Sequence, residues 1–526
     1  MVENTLHRDL LRPEAYPEET GPIGYRETHI SRLYFTDRHV YKIKKAVDFG
    51  FLNFTTLDRR RFYCHEEVRL NRRFCPDTYL DVVEIRKTAQ RHRVGGEGEI
   101  VDYAVRMKRL PEEHMLVHLL QAADPSLPAA MQRVGRRLAL LHRDSEIVRS
   151  DGGRSDLDTL RHNWQENFTQ TAPFVGQTLF ACGQEACTAY VERFFTEHAS
   201  LLHERQEQGF VRDGHGDLHA EHICLTDPVC IYDCIEFNRR FRVADVAADL
   251  AFLLMDLDFR ERRDLAAITL EAYRKAGKAD RELPRLLPFY KVYRAWVRGK
   301  VESLLAADAA AEAETRSAAA KRSRRYFSLA LGYLCPPVLV MTCGLMGVGK
   351  TTVARSLAAA LGARLLRTDE LRKTLAGLPA TAGRPEPFEA GIYSAGMTAK
   401  TYDLLLKRCL AALAAGESVI ADAAFLRRAE RERFAAAAKR KGFPWLLALM
   451  ECPAETALDR LDRRQVLGQD ASDGRRELYA SQAAAFEPPA ETENIIRIDT
   501  AGDVDYNVQR ILCAIIERDR CPDERA

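Results

Sequence analysis

The run Gly344-Leu345-Met346-Gly347-Val348-Gly349-Lys350-Thr351-Thr352 has residue types that can hold a polyphosphate. Glycines let successive backbone N–H groups curve around phosphate oxygens with no Cβ in the way. The apolar, β-prone Val338–Cys343 leads into this run, and TVARSLAAALG after it reads as a helix ending at Gly362. The pattern G-x-x-x-x-G-K-[ST] therefore lies between a strand and a helix, the context its chemistry needs. The helix N-terminus adds its partial positive charge. Lys350 is expected to reach the β and γ phosphates of ATP and to assist catalysis, and the Thr351 hydroxyl to ligate Mg²⁺. Gly344, Gly347, Gly349 and Thr352 complete the expected cradle.

Carboxylates follow at strand ends, where ligands of α/β sheets collect. Ala363–Arg367 reads as a second strand with Asp369 just beyond it. Asp369 could accept the proton of an attacking hydroxyl, cap the helix ELRKTLAG, or do both. Ser418–Ala421 reads as a third strand ending in Asp422, a candidate for holding a Mg²⁺-bound water or for another helix cap. Leu446–Met450 reads as a fourth strand. After it, Arg460, Arg463, Arg464, Arg475 and Arg476 flank the polar turn GQDASDG. Such arginines suit a flap that neutralises charge on a transferring phosphoryl group, with Arg460 and Arg464 as nucleotide contacts. They would equally suit a solvated helix face with pairs such as Asp459–Arg463.

GLMGVGKTT, TDELR, VIADAAF and RLDRR together resemble small P-loop kinases classed with the AAA-type ATP-binding domains, a group that includes polynucleotide kinases, chloramphenicol phosphotransferase and zeta-toxin-like kinases. The resemblance runs from Val338 to about Pro489. It implies an adenylate-kinase-like fold with Asp369 as base and Arg372 as a substrate contact.

A second constellation lies upstream. Val211-Arg212-Asp213-Gly214-His215-Gly216-Asp217-Leu218-His219-Ala220-Glu221-His222 precedes Ile231-Tyr232-Asp233. Kinase catalytic loops read H-x-D-x-x-x-x-N with a metal-binding Asp soon after. His215 and Asp217 match, Asp233 stands at the metal-binding position, and His222 stands where the Asn belongs. Asp217 is thus the candidate base, with Asp233 and His222 as the metal side. Histidine is a softer Mg²⁺ ligand than Asn. His39–Lys45 resembles the strand that carries the ATP lysine of kinases; Val40 and Lys42 share one face by strand alternation, so Lys42 is the candidate phosphate clamp and Lys44 the reserve. Glu66 and Glu67 are candidate partners, and pairing through Glu67 places Leu70 and Phe74 toward the core. Met107–Pro111 could be the hinge that receives adenine.

HGDLH, Asp233 and the D-x-x-x-D-L-A run at Asp245–Ala251 resemble the aminoglycoside phosphotransferase-like branch of the protein-kinase fold over about residues 25 to 330. No G-x-G-x-x-G loop precedes the lysine strand, so other residues, such as Thr28–Ser31, must cover the phosphates. The two halves together resemble bifunctional aminoglycoside phosphotransferase/ATP-binding proteins. A competing metal reading takes His215, His219 and His222 with Cys224, Cys230 and Cys234, but Cys230-x₃-Cys234 fits zinc spacing only loosely. Buried thiols acting as small apolar groups account for these cysteines and for Cys182-x₄-Cys187.

These groups need scaffolds. Strands are expected at Thr28–Phe35, His39–Lys44 and Ile100–Met107, with a turn at Thr36-Asp37-Arg38. Helices are expected at Leu57–Phe74, Ala129–His142 and Ala189–Gln206, and again from Val243 onward. The block Val211–Phe237 reads as strand-loop-strand. An Ala-rich stretch before Pro336-Pro337 reads as a solvated helix that the prolines stop. The boundary is placed there. An α/β and α+β chain is expected, with a two-lobed, protein-kinase-like domain at 1–334 and a P-loop NTPase domain at 335–526, its parallel sheet flanked by helices.

The chain has 526 residues, enough for several domains or two large ones. With 78 Lys and Arg against 76 Asp and Glu, no global field favours nucleic acid or an anionic membrane. No stretch approaches 18 apolar residues, so no membrane span is expected. The N-terminal MVENTLHRDLLRPEAYPEE lacks the apolar core of a signal peptide, and thirteen is an odd number of cysteines. A cytoplasmic protein with free thiols is expected. The expected activity is a two-headed, ATP- and Mg²⁺-dependent phosphotransfer to hydroxyls of small molecules. One alternative is a P-loop ATPase or kinase coupled to a catalytically weak, ligand-binding kinase-like domain. Another is a nucleic-acid-end kinase, against which the near-neutral charge argues. The acceptor is expected to be chosen by Leu375–Glu389 and the helices around Asp158–His203.

Overall fold

The computed structural model describes residues 2–89, 91–149, 155–379, 390–467, 474–490 and 493–520. The chain divides into two compact units, Met1–His162 with His198–Tyr290, and Asn163–Glu197 with Lys291–Ala526.

The first unit is built on an antiparallel sheet of six strands. They are β1 (Gly24–Glu27), β2 (Ser31–Phe35), β3 (His39–Lys44), β4 (Tyr79–Lys87), β5 (His92–Val94) and β6 (Glu99–Lys108). Their order is β1-β2-β3-β6-β4-β5. Alternation along β3 does the sorting that the sequence implies. Tyr41 and Ile43 join a core with Tyr34, Ile85 and Ala104, while Val40 joins a second core with Cys64, Val68, Val105 and Met107. Lys42 and Lys44 share the face of Val40 and are themselves buried. The helix Leu57–Asn71 lies on that face, its first turn capped by the Thr56 hydroxyl, which accepts from the Arg59 N–H at 3.3 Å. Helices dominate the rest of the unit, among them Leu127–Asp144, Val246–Phe259 and Arg263–Ala276. Short pairs β7 (Val211–Asp213) with β10 (Val243–Asp245), and β8 (Ile223–Cys224) with β9 (Cys230–Ile231), frame the HGDLH loop.

The second unit holds a five-stranded parallel sheet in the order β12-β13-β11-β14-β15. The strands are β11 (Leu339–Cys343), β12 (Arg364–Arg367), β13 (Val419–Asp422), β14 (Trp445–Glu451) and β15 (Ile495–Asp499). Both faces are covered. Val340, Ala448 and Met450 pack into one apolar core, and Leu339, Met341, Leu447 and Leu449 into the other. This is why Val338–Cys343, broken only by Thr342, and Leu446–Met450 are apolar runs rather than alternating ones.

Stretches that precede the expected boundary at 334 belong to this second unit. The helix Ala313–Gly332 keeps most of the Ala-rich stretch in solvent, as expected, and buries its last residues, 326–332. A Cβ on Gly332 would lie 2.1 Å from the Ala360 carbonyl oxygen, so only glycine permits that helix contact. Leu331 and Ala186 enter the core of Val340. Gln509, fully buried, accepts from the Phe180 N–H at 2.9 Å and donates to the carbonyls of Thr178 at 3.1 Å and Arg324 at 3.3 Å.

The expectation of free thiols is corrected at two places. Cys75 pairs with Cys230, and Cys182 pairs with Cys513. Pairs 155 and 331 residues apart leave no local signal in the sequence. Among the described residues no helix is long and apolar enough to cross a membrane.

Candidate active sites

In the second unit, β11 delivers the chain into the glycine loop, and the helix Lys350–Leu361 leaves it. Gly344, Gly347 and Gly349 have φ of 134°, 76° and 92°, a region hostile to side chains. A Cβ on Gly347 would also meet the Ala457 carbonyl oxygen at 2.4 Å. Lys350 curls over its own loop and donates to the carbonyls of Gly344 at 3.0 Å and Leu345 at 2.7 Å. Burial pushes its pKa down, against the pull of Asp422 and Asp369. The Thr351 hydroxyl donates to Asp422 Oδ2 at 2.7 Å, and Thr342 Oγ1 donates to Asp422 Oδ1 at 3.2 Å. Asp422 ends β13 and serves no helix as a cap; Arg367 Nε lies 3.4 Å from its Oδ2. Hydroxyl and carboxylate oxygens side by side are a hard donor set, which fits Mg²⁺.

A cavity of about 640 Å³ opens on this loop. Lys350, Thr351, Thr352, Asp369, Arg372, Asp422, Arg460 and Arg464 all line it. Asp369 sits in the first turn of the helix Thr368–Leu375, whose N-cap position is Arg367, so the expected capping role is corrected: β12 passes into the helix with no residue between. Arg372 is buried, stacks 4.7 Å from the Tyr393 ring centroid, and donates to Ile392 O at 3.1 Å and Thr398 Oγ1 at 3.0 Å. Its Nε has no partner among the described residues. Arg460 binds the loop from behind, donating to Val348 O at 3.4 Å and Thr500 O at 2.7 Å. Arg464 donates to Gly474 O at 3.0 Å. Arg476 pairs with Asp462. Residues 468–473 of the expected flap turn and 380–389 of the expected specificity loop lie outside the described residues.

Sequence reasoning missed Gln482. It lies on the helix Arg476–Ala484, and its Oε1 accepts the Met346 N–H at 2.6 Å, taking one amide of the loop. It also missed Thr342 and Arg367, which fix Asp422 from neighbouring strands.

In the first unit, five charges from three segments converge. Lys42 Nζ lies 2.8 Å from Glu67 Oε1 and 2.6 Å from Asp233 Oδ1. Lys44 Nζ lies 2.6 Å from Glu67 Oε2 and also bonds Glu236, which the sequence reading passed over. Glu66 instead pairs with Arg69 at 2.7 Å, so Glu67 is the partner of both lysines. Burial alone would raise the Glu67 carboxyl, but Lys42 and Lys44 outweigh it and hold it below the usual range. Burial raises Glu236 despite Lys44. Asp233 is held well below the usual range, its burial outweighed by Lys42 and then His222. Its backbone has φ of 63°, a conformation side chains resist, and its N–H donates to the Tyr79 hydroxyl at 3.0 Å. Strain of this kind gathers at functional sites.

His215 positions the loop rather than serving as a ligand. Its Nε2–H donates to Tyr232 O at 2.9 Å, and its Nδ1 accepts the Asp217 N–H at 3.3 Å. Burial pushes its pKa down to about 4, so the ring is neutral. Asp249, from the D-x-x-x-D run, accepts the N–H groups of His215 at 2.7 Å and Gly216 at 2.9 Å. Asp217 then faces two imidazoles, with His219 Nε2 at 3.6 Å and His222 Nδ1 at 3.7 Å from its Oδ2. His222 Nε2 lies 3.6 Å from Asp233 Oδ2. Two imidazoles do not fit the hard-oxygen shell of Mg²⁺. Cys230 is in a disulfide, and the grouping of potential metal ligands found among the described residues, Asp217, His219 and His222, includes no cysteine.

Residues 64–289 match the model of a phosphotransferase enzyme family, and residues 339–489 match that of an AAA domain. Uncharacterized proteins of Mycobacterium bovis and Mycobacterium tuberculosis are 28% identical over 500 residues, which is 94% of this chain and 96% of theirs. Three solved structures are similar to parts of the chain. A gluconokinase from Sinorhizobium meliloti is 19% identical and covers 35% of this chain and 93% of its own, with a TM-score of 0.26. A sugar kinase from Janibacter is 22% identical over 34% of this chain and 93% of its own, with a TM-score of 0.25. An APS kinase of Mycobacterium tuberculosis in complex with AMPPNP and APS is 18% identical over 34% and 98%, with a TM-score of 0.26.

Proposed function

We propose that this chain, which joins a phosphotransferase-family domain to an AAA-type P-loop domain, is a two-headed kinase that moves the γ-phosphoryl group of ATP to hydroxyls of small molecules. The observation that carries the reading is one cavity in the second unit. It puts a phosphate cradle, the Thr351–Asp422 pair and a second carboxylate, Asp369, around one space. A mere ATP-binding switch has no need of that second carboxylate.

In this reading the loop amides and Lys350 hold the triphosphate tail. Lys350 exchanges two loop carbonyls for phosphate oxygens, a gain for an ammonium that burial already disfavours. Thr351 and Asp422 would hold Mg²⁺, which supplies charge neutralisation between the β and γ oxygens. Asp369 accepts the proton of the acceptor hydroxyl. Arg372, on the cavity wall, orients the acceptor, and Arg464 faces the transferred group. In the first unit Lys42, steadied by Glu67, clamps phosphate, and Asp217 accepts the hydroxyl proton. Asp233 and His222 form its cation side. The acceptors of both sites are small alcohols of unassigned structure.

A second reading has the first unit binding a ligand without turnover, and the imidazoles on the catalytic loop favour it. ATP turnover of Lys350→Ala and Asp217→Ala, separately and together, decides between them. Each single variant should keep part of the turnover, and the double variant none. Loss of all turnover in Lys350→Ala alone defeats the two-headed reading.

A further inference from the structure

We infer that the first unit carries a site for a first-row transition-metal dication of the Mn²⁺-to-Zn²⁺ class, built on Asp217, His219 and His222, with Asp233 beside His222. Ligand atoms of Asp217, His219 and His222 all lie within 4.8 Å of one another. Two ligands of one tetrahedral ion, each about 2.1 Å from it, stand about 3.4 Å apart. The His219 Nε2–Asp217 Oδ2 separation of 3.6 Å is close to that spacing, and Asp233 Oδ2 stands 3.6 Å from His222 Nε2. The two rings lie 4.1 Å apart between centroids.

The supports are those a metal site needs. His222 Nδ1–H donates to the Asp217 carbonyl at 2.8 Å, which fixes the tautomer and leaves the Nε2 lone pair on the Asp233 side. His219 is 4% exposed and packs on Phe252. The turn after it is held by the Ala220 N–H, which donates to Asp256 Oδ2 at 2.9 Å. Two imidazole nitrogens with carboxylate oxygens suit Mn²⁺, Fe²⁺, Co²⁺ or Zn²⁺ and disfavour Mg²⁺, which prefers oxygens and its own waters. An ion held by Asp217 occupies the carboxylate that the two-headed reading uses as base, so the site goes with the reading in which the first unit binds a ligand without turnover.

The test uses the full chain stripped with EDTA, with Mn²⁺ as probe and no nucleotide, so that Thr351 has no phosphate with which to share a cation. One Mn²⁺ per chain should bind, survive a large excess of Mg²⁺, yield to Zn²⁺, and show nitrogen couplings in pulsed electron paramagnetic resonance. His222→Asn retains an N–H for the Asp217 carbonyl but replaces an imidazole with an amide. It should weaken Mn²⁺ about tenfold or more and remove one nitrogen coupling. His219→Gln should remove the other. Circular dichroism of the metal-free variants checks the fold, and the wild-type titration decides the matter even if a variant fails to fold. Absence of stoichiometric Mn²⁺, displacement by Mg²⁺, or bound Mn²⁺ without nitrogen coupling overturns the site.

Discussion

Replacing Lys44 by Met separates the two lysines of β3. The Lys44 ammonium is fully buried between Glu67 and Glu236, with the Phe54 ring centroid 4.9 Å away. Removing it leaves Glu236 buried without its cation, while Glu67 keeps Lys42 at 2.8 Å. Breaking a buried pair from one side costs about 3–5 kcal/mol. Lys42→Met instead frees Asp233, whose side chain is 37% exposed and can be hydrated, so about 1–2 kcal/mol is expected. Adding Glu236→Gln to Lys44→Met removes the orphaned charge and should recover about half of the loss or more. Burial already raises the Glu236 carboxyl, and without Lys44 it rises further. The deficit of Lys44→Met therefore grows as pH climbs through that raised value. Hydrogen exchange of amides in His39–Lys44 and Leu57–Asn71, in the full chain, reads the effect without assuming that both units unfold together. A loss below about 1 kcal/mol for Lys44→Met, or no recovery in the double variant, refutes Lys44 as the buried anchor. If Lys44 rather than Lys42 proves to be the phosphate clamp, then Lys44→Met/Glu236→Gln will lose the Asp217-dependent turnover that Lys42→Met keeps.

Gln482→Leu leaves the Met346 amide to water, so a phosphate oxygen displaces a weaker competitor; nucleotide affinity by calorimetry should rise several-fold, and a fall would show that Gln482 supports binding instead. Asp156, buried and near Asp245, has its carboxyl pushed up to about 7 by burial first and by that neighbour second. A raised acid stabilises below its unfolded value and loses that contribution as pH rises through the folded one. Asp156→Asn should therefore raise the unfolding temperature above about pH 7 and change little near pH 4, and an equal shift at both would defeat the assignment.

The P-loop was legible because strand, glycines and helix are contiguous, and Asp422 because it closes an apolar run. Lys42 and Glu67 came from the likeness of their strand to one carrying an ATP lysine, with strand alternation and helix spacing, and Lys44 and Glu66 stood beside them as candidates. What the sequence concealed depends on contacts between distant residues. Gln482 meets Met346 across 136 residues. β15 reads Ile-Ile-Arg-Ile-Asp, only partly buried at a sheet edge, without the apolar continuity that marked β11 and β14. Glu236 is distinguished from other acids only by the lysine that reaches it from β3. Asp369 was legible as a strand-end acid, but its cap position was not, since helix and strand adjoin at Arg367.

The composition of the second unit bears on how the protein is made. Residues 163–197 and 291–332 leave the ribosome before any strand of the parallel sheet has been synthesised. Their inward faces, Ala186 and Leu331 among them, meet Val340 only later, and Gln509 and Cys513 arrive with the final helix, Val504–Arg520. A nascent chain stalled before that helix keeps an apolar stripe uncovered, a state suited to chaperone capture and prone to aggregation.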